Sequence, residues 1–478
     1  MSEAQPRQLQ DGPAAQARPA AEGIGLWPSI FVMATLTALF LVWPLYRLFL
    51  PIEIHTNEPW NAWQIERAMG GVSPLYPAPD DTIANNYPPL YFYIIGLISR
   101  LTGDPIYTGR VVSLLAAAGL AVAVGQCIRQ LGGSRAMAAF GAVWFLATTV
   151  RFFWYFAGMN DPHLLALAVM IGGLAWFLAR LSQGRSSEPA LAVMVLAGFI
   201  KHSLWATPVT ALIWLALTQW RRVPRALLVC ALLTAAGLTA CYAAYGPDFF
   251  SNLMAPRVMT LKRAVVMLGR LQWIAIGLAV WGLWAADKRG LRRAEFSTIF
   301  IAAGFAAYVI QSLGQGITIN AQLELVAATA IGLALAMGDL ASVPALRRFG
   351  LQRAGLWIAV ALILRLLLSE RIEPLQIALS PQYRSQITHQ VDVTNSEIAR
   401  IRAIAGPVAC TIPTVCYRAG KAFVFDDFLL GQRVATGRWP QERLTAALQA
   451  KGVRLETIAP EAEWSQDPPA FFKQLMGQ

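Results

Sequence analysis

The feature that most constrains this chain is a repeated pattern. Apolar runs of about 15–20 residues, parted by short turns rich in Arg and Lys, recur along its first three quarters. Roughly 20 apolar residues in a helix cross the hydrocarbon of a bilayer, and a helix satisfies its own backbone there. The pattern therefore defines a polytopic α-helical membrane protein. Composition agrees: 14% of the 478 residues are charged, against about a quarter in a soluble protein. The net charge of +12 gives no argument for a nucleic-acid partner, because most Lys and Arg sit in the turns, where topology requires them.

Five basic turns set the orientation. They hold Arg129 and Arg135; Arg180 and Arg185; Arg221, Arg222 and Arg225; Lys288, Arg289, Arg292 and Arg293; and Arg347, Arg348 and Arg353. Positive turns stay in the cytoplasm. The spans between them cover about 27–48, 111–128, 136–153, 162–179, 189–200, 203–219, 226–245, 271–286, 296–312, 318–338 and 354–369, about eleven transmembrane helices. The stretch 189–219 is short for two crossings, so Lys201 and His202 are expected to cap a thin hairpin. Residues 1–26, rich in Ala, Pro and Gln, lack the marks of a signal peptide and read as a disordered cytoplasmic lead.

One apolar run breaks the alternation. "PPLYFYIIGLISRL", Pro88 to Leu101, is short for a crossing, and counting it would put every later basic turn outside. It is expected to lie at the interface or re-enter, within a first external loop, 49–110. The transmembrane module is then 27–369, and 370–478 forms an external domain on the periplasmic or extracellular side of the cytoplasmic (inner) membrane. In that domain "GPVACTI", "AFVFDDF" and "RLETIAP" read as strands and "QERLTAALQAKG" as a helix ending at Gly452, a small α/β unit. Of five cysteines, Cys127, Cys230 and Cys241 lie in or beside apolar runs; Cys410 and Cys416 pair if the tail lies outside the cytoplasm.

This topology gathers chemistry on one face. Glu58 follows the first span, Asp161 opens the span 162–179, and Glu324 sits about two turns inside the external end of its own. Lys201, His202 and the loop bearing Arg257, Lys262, Arg263 and Arg270 arrive at the same end. Each has a plainer reading. Asp161 serves as a helix N-cap, Glu58 as a solvated charge, the loop cations as lipid-headgroup contacts, Lys201 as a snorkelling side chain and His202 as a packed histidine. Glu324 resists dismissal, because a carboxylate within a span costs a few kcal/mol unless it finds a partner or a wet cavity.

Five pieces in order, "NEPWNAWQIERAMGG", "NYPPLYFYIIGLISRLTGDPIYTGRVVSLLAA", "MNDPHLLAL", "GFIKHSLWATP" and "GQGITINAQLELVAA", resemble the C-type glycosyltransferase superfamily. The likeness is to the branch of protein O-mannosyltransferases and lipid A aminoarabinose transferases. It covers roughly residues 27–450, including a tail, "GKAFVFDDFLLGQRVATGRWPQERL", similar to that family's external domain. Arg110 stands where the family often has Arg. Two departures stand out: Asn57 replaces the first of two acids, and His202 stands where Gln or Pro is expected.

The resemblance implies transfer of a sugar from a polyprenyl-phosphate donor, held among membrane lipids, to an envelope lipid, glycan or protein. Displacing a phosphate from an anomeric carbon needs a base for the incoming hydroxyl and cations for the leaving phosphate. The expected base is Glu58, with Asp80 or Asp81 as substitutes if the lost first acid mattered. Asp161 orients the acceptor or, with Glu58, holds a divalent cation such as Mg²⁺ or Mn²⁺. Lys201 and one or more of Arg257, Lys262, Arg263 and Arg270 hold the phosphate; Tyr87, His202, Asn320 and Glu324 bind sugar hydroxyls or support the site. The competing readings are a transporter or lipid flippase, and a non-catalytic lipid-binding relative. A transporter places ionisable groups near the midplane and often shows an internal repeat; no repeat is evident here.

Overall fold

The structure is a computed structural model, and it describes residues 26–71, 73–344, 354–368 and 372–462. The expected N-terminal lead and the fifth basic turn (Arg347, Arg348 and Arg353) lie outside the described residues. Among the described residues, six helical segments are long and apolar enough to cross a membrane, or seven if a pair bent by 79° counts as one. They are α1 (Trp27–Tyr46), α4 (Pro105–Gln130), α6 (Pro162–Ser182), Ala206–Tyr245, α13 (Arg292–Ser312) and Ile319–Asp339, which contains α14 (Leu323–Asp339). The bent pair joins α11 (Leu261–Leu268) and its 3-10 extension to α12 (Ala275–Asp287). Helix α5 (Arg135–Phe152) and the shorter apolar helices α7 (Glu188–Ile200) and α15 (Ala354–Leu367) pack with them.

Interhelical contacts fix which ends share a face. At one face, Arg47, just past α1, donates to the carbonyls of Trp154 (2.8 Å) and Ala157 (2.9 Å), beyond α5. At the other, Arg222 donates to the carbonyls of Gly184 and Arg185, both at 3.0 Å, and Arg293 at the start of α13 pairs with Asp339 at the end of α14. Four of the five basic turns thus share one face, opposite Glu58 and Asp161. The segment Ala206–Tyr245 doubles back. Lys201, before its start, meets Tyr87 and Asp161, and Tyr245 at its end meets Tyr93, while Arg222 in its middle is at the basic face. A straight helix of that length would span about 60 Å. The break at Gln219–Arg222 makes it two helices, α8 (Ala206–Gln219) and α9 (Val223–Tyr245).

The bundle closes around α14, where every residue from Leu323 to Met337 is buried. Its run of Ala and Gly lets neighbours approach, as small residues do in membrane bundles. Gly141 of α5 shows the need: a Cβ there would sit 2.9 Å from Ala334 Cβ. In the first loop, α2 (Asn57–Ala68) and α3 (Leu90–Thr102) lie at the carboxylate face. Both ends of α3 stay on that face, since Tyr91 reaches Asn160 and Asp104, beyond its end, pairs with Arg418. Its exposed Leu97, Ile98 and Leu101 suit an interfacial helix. A short helix, α10 (Asp248–Leu253), follows α9 on the same face.

The C-terminal region sits over this face. Helices α16 (Glu373–Leu379) and α17 (Pro381–Ala403) lead to β1 (Val408–Cys410), α18 (Pro413–Arg418), α19 (Asp427–Ala435), α20 (Gln441–Ala450) and β2 (Arg454–Glu456). The strands pair in parallel, Val408 with Arg454 and Cys410 with Glu456. Cys410 and Cys416 form a disulfide. Two of the three expected strands are present, and α20 ends just before Gly452, whose φ of +60° suits glycine. The third, "AFVFDDF", is not a strand: Asp426 donates its N–H to the Thr82 carbonyl (3.0 Å) and caps α19 through Leu429 N–H (2.9 Å). The unit is mainly helical.

Candidate active site

Helix α2 places Glu58 in its first turn, and α4 places Arg110 opposite. Neither side chain has any exposed surface. Arg110 grips both carboxylate oxygens: Nε donates to Oε1 and Nη2 to Oε2, each at 2.8 Å. The backbone N–H groups of Asn160 and Ile54 each donate to one of the same oxygens at 3.1 Å. The remaining guanidinium hydrogens go to the carbonyls of Arg47 (3.0 Å), Leu50 (2.8 Å) and Ile52 (2.8 Å). All five donors of the guanidinium are used. Glu58, the expected base, is thus engaged by Arg110 and by two backbone N–H groups. Its lone pairs are committed, and it borders neither chamber described below. It is a strut that ties the loop after α1, α2, α4 and the Asn160 turn together.

Asn160 completes that junction. Its Nδ2 donates to the Glu58 carbonyl (3.1 Å), its Oδ1 accepts from Tyr91 Oη (2.7 Å), and its carbonyl accepts from Asn61 Nδ2 (2.8 Å). Gly109 faces the Asn160 side chain so closely that a Cβ would overlap it. The next residue is Asp161, 3% exposed. It is the N-cap of α6: Oδ1 accepts from His163 N–H at 2.8 Å, and Pro162 follows at the first helical position. Its other oxygen, Oδ2, is buried with no hydrogen-bond partner. The plain reading of Asp161 thus accounts for one oxygen and leaves the second.

Lys201 ends α7 in extended conformation and turns back over Asp161. Its Nζ lies 3.6 Å from Asp161 Oδ1, 3.3 Å from Tyr87 Oη and 4.3 Å from the Tyr87 ring centroid. Burial works to lower the pKa of this ammonium, but Asp161 and Tyr87 outweigh it and leave the pKa raised. Lys201 and Tyr87 form the layer between Asp161 and a cavity.

That cavity has two adjoining chambers. The outer, about 290 Å³, lies between α2 and the C-terminal unit and is walled by Trp60, Trp63, Phe423 and Phe425. The inner, about 240 Å³, is bordered by Lys201, His202, Asn320 and the segment before α11. Asn57, Tyr87, Arg257 and Thr318 border both. Of the five candidate phosphate cations, Lys201 and Arg257 border the cavity, 56 residues apart in sequence. Arg263 does not: it is spent on the carbonyls of Gly314 (3.0 Å) and Ile317. Lys262 and Arg270 are exposed, and Arg270 lies over the Trp273 ring at 5.1 Å.

His202 borders the inner chamber and is exposed there; desolvation by the surrounding protein, with Lys201 and Arg257 beside it, pushes its pKa down to about 4. Asn320 donates to His163 Nδ1 (3.1 Å) once its Oδ1 is fixed by Thr318 Oγ1 (2.8 Å). Glu324 stands in the first turn of α14, nearer the face than expected. It accepts from Thr207 N–H (3.1 Å), Thr207 Oγ1 (2.8 Å) and Ala206 N–H (3.4 Å), capping α8 from outside the helix. It supports the hairpin and does not border either chamber.

Asp80 and Asp81 are also away from the site: Asp81 pairs with Lys451, and Asp80 borders a different pocket. For a divalent cation, no group of three His, Cys, Asp or Glu side chains gathers among the described residues. Glu58 is taken by Arg110, and the Lys201 ammonium already sits beside Asp161, so this donor set does not fit such an ion. Residues the sequence reading passed over include Tyr91, Asn160, His163, Trp60 and Phe423. The one available signal was local: Asn-Asp-Pro-His marks a capped helix start.

The fold of this chain is similar to that of two kinds of solved membrane protein. ArnT from Cupriavidus metallidurans in the apo state aligns with a TM-score of 0.55 at 15% identity, over 88% of this chain and 92% of ArnT. The archaeal oligosaccharyltransferase AglB from Archaeoglobus fulgidus, in complex with an inhibitory peptide and a dolichol-phosphate, gives 0.51 at 11%, over 90% and 69%. The apo form of the Archaeoglobus fulgidus oligosaccharyltransferase gives 0.51 at 13% over the same shares. At these identities the likeness is one of fold. No protein-family model matches the sequence, and no curated protein matches it.

Proposed function

We propose that the protein is an integral-membrane glycosyltransferase that moves a sugar from a polyprenyl-phosphate donor to an acceptor hydroxyl at the outer face of the cytoplasmic membrane. One observation carries this reading: a buried carboxylate oxygen without a hydrogen-bond partner, Asp161 Oδ2, lies behind Lys201 and Tyr87, which border the inner chamber. A dolichol-phosphate in the AglB structure supports the choice of donor. The basic turns on the far face and the Cys410–Cys416 disulfide support an outward-facing cavity.

In this mechanism the donor phosphate enters the inner chamber and draws Lys201 and Arg257 onto its oxygens. As Lys201 leaves Asp161, the carboxylate gains access to the acceptor. Asp161 takes the acceptor's hydroxyl proton, the acceptor oxygen bonds to the anomeric carbon, and the carbon–oxygen bond to phosphate breaks. The leaving charge is held by Lys201 and Arg257, and the anomeric configuration inverts. A positioned base contributes typically 10²–10⁴-fold, and cations aimed at developing charge act most strongly in a partly dry site. Asn57, Tyr87 and Asn320 border the chamber where the sugar would lie, within reach of its hydroxyls.

A transporter would place its ionisable groups along a path through the bundle. Here α14, the central helix, is buried along its length, and the groups of the site gather at one end. The direct test uses purified protein in lipid nanodiscs with a radiolabelled polyprenyl-phosphate sugar and an envelope extract. Label appearing on an extract component with inverted configuration supports the reading; label that stays on the lipid, or a retained configuration, overturns it.

A further inference from the structure

A second pocket, about 360 Å³, lies apart from this site, where the first loop, the segment after α10 and the C-terminal unit meet. Arg433, Arg438 and Arg443 border it, with Trp439 among them. The guanidinium carbon of Arg433 lies 5.0 Å from the Trp439 ring centroid, and that of Arg443 lies 4.6 Å away. Trp439 and Arg433 are buried, whereas Arg438 and Arg443 are exposed. Arg433 is held by the Asp81 carbonyl, and the Asp81 carboxylate is engaged by Lys451. Among the described residues Arg438 and Arg443 have no ion-pair partner, and Asp80 is the one carboxylate bordering the pocket.

Asp426, Asp81 and Asp80 already act on Arg433, so the open charges of the concavity are Arg438 and Arg443, which repel each other unless an anion joins them. Arg433 and Arg443 lie against the Trp439 ring, and the exposed Arg438 and Arg443 carry N–H edges of the kind that match phosphate oxygens in bidentate fashion. The place of the pocket points to where that phosphate comes from. Ser251 and Asn252 of its wall belong to α10, which follows the apolar helix α9, and Met254 beside them is 72% exposed, as a residue against lipid would be. We infer that this pocket binds a phosphate group carried by an amphiphile at the membrane surface. The inference is independent of the transferase reading, because it concerns binding at residues outside the proposed reaction site.

The test is calorimetric titration of the full chain, in neutral detergent micelles, with dodecyl phosphate. The wild type should bind saturably. R438A/R443A should bind about tenfold more weakly or worse with its unfolding temperature unchanged, and D80N should bind more tightly, because it removes the competing carboxylate. Equal affinity in all three proteins overturns the site. Displacement of dodecyl phosphate by millimolar inorganic phosphate assigns the pocket to the free ion and overturns the lipid source; failure of inorganic phosphate to displace it supports that source.

Discussion

Arg110 and Glu58 meet through two parallel hydrogen bonds of 2.8 Å, with no exposed surface on either side chain. A buried pair of this kind defines a position at the cost of desolvating two ions, and breaking it from one side leaves the other charge stranded, typically at 3–5 kcal/mol. E58Q and R110M should therefore lower the unfolding temperature and the yield of inserted protein. The check is thermal unfolding in detergent. A fully stable E58Q that has lost only transfer would restore Glu58 to the role of base.

Substitution of the cations should separate by position. K201M and R257M should each lower kcat/KM for the lipid-phosphate sugar by about 10²–10³-fold, the range for removing one group aimed at developing charge. R263M should instead loosen the loop at Gly314 and Ile317, whose carbonyls it holds. Steady-state kinetics on all three variants decides this; equal losses in all three would remove the distinction between cavity and scaffold cations.

Protonation gives a further expectation. The folded pKa of His202 is about 4, below the unfolded value of about 6.5. Its neutral form therefore contributes stability that is fully present above about pH 6.5 and is lost as pH falls toward 4. Lys201 has the opposite sign: its raised pKa contributes stability present below about pH 10.4 and lost as pH rises through the folded value. H202N should flatten the acid limb of stability between pH 4 and 6.5 without shifting the pH profile of transfer above pH 6. Stability and rate measured across pH 4–9 test both parts.

Glu324 offers a control within a helix of the membrane bundle. E324A removes the acceptor for Thr207 and Ala206 and should cost about 1–3 kcal/mol, as buried donors lose their partner, while the folded fraction keeps its transfer rate. Specific activity per folded molecule is the readout, and a loss beyond tenfold at full stability would make Glu324 part of the reaction.

The sequence carried the class, the shared face and most of the turns, because apolar length and basic turns are local properties. It also carried Asp161, whose N-cap position is written in the residues that follow it. It left the surroundings of Glu58 unread, because nothing near Glu58 announces a partner 52 residues away on another helix. Arg263 and Arg257 look alike in sequence, but packing against the Gly314 loop removes one from the cavity and leaves the other. "AFVFDDF" alternates like a strand, and tertiary contact with Thr82 and the start of α19 overrode that pattern.

The central claim rests on the free oxygen of Asp161, and D161N tests it most directly, since the amide keeps an acceptor for His163 N–H and so keeps the cap. Transfer per folded molecule from a polyprenyl-phosphate sugar in nanodiscs should fall by at least about 10²-fold, while the loss of a charge beside the buried Lys201 ammonium lowers the unfolding temperature. Normal turnover by a folded D161N protein would contradict the account.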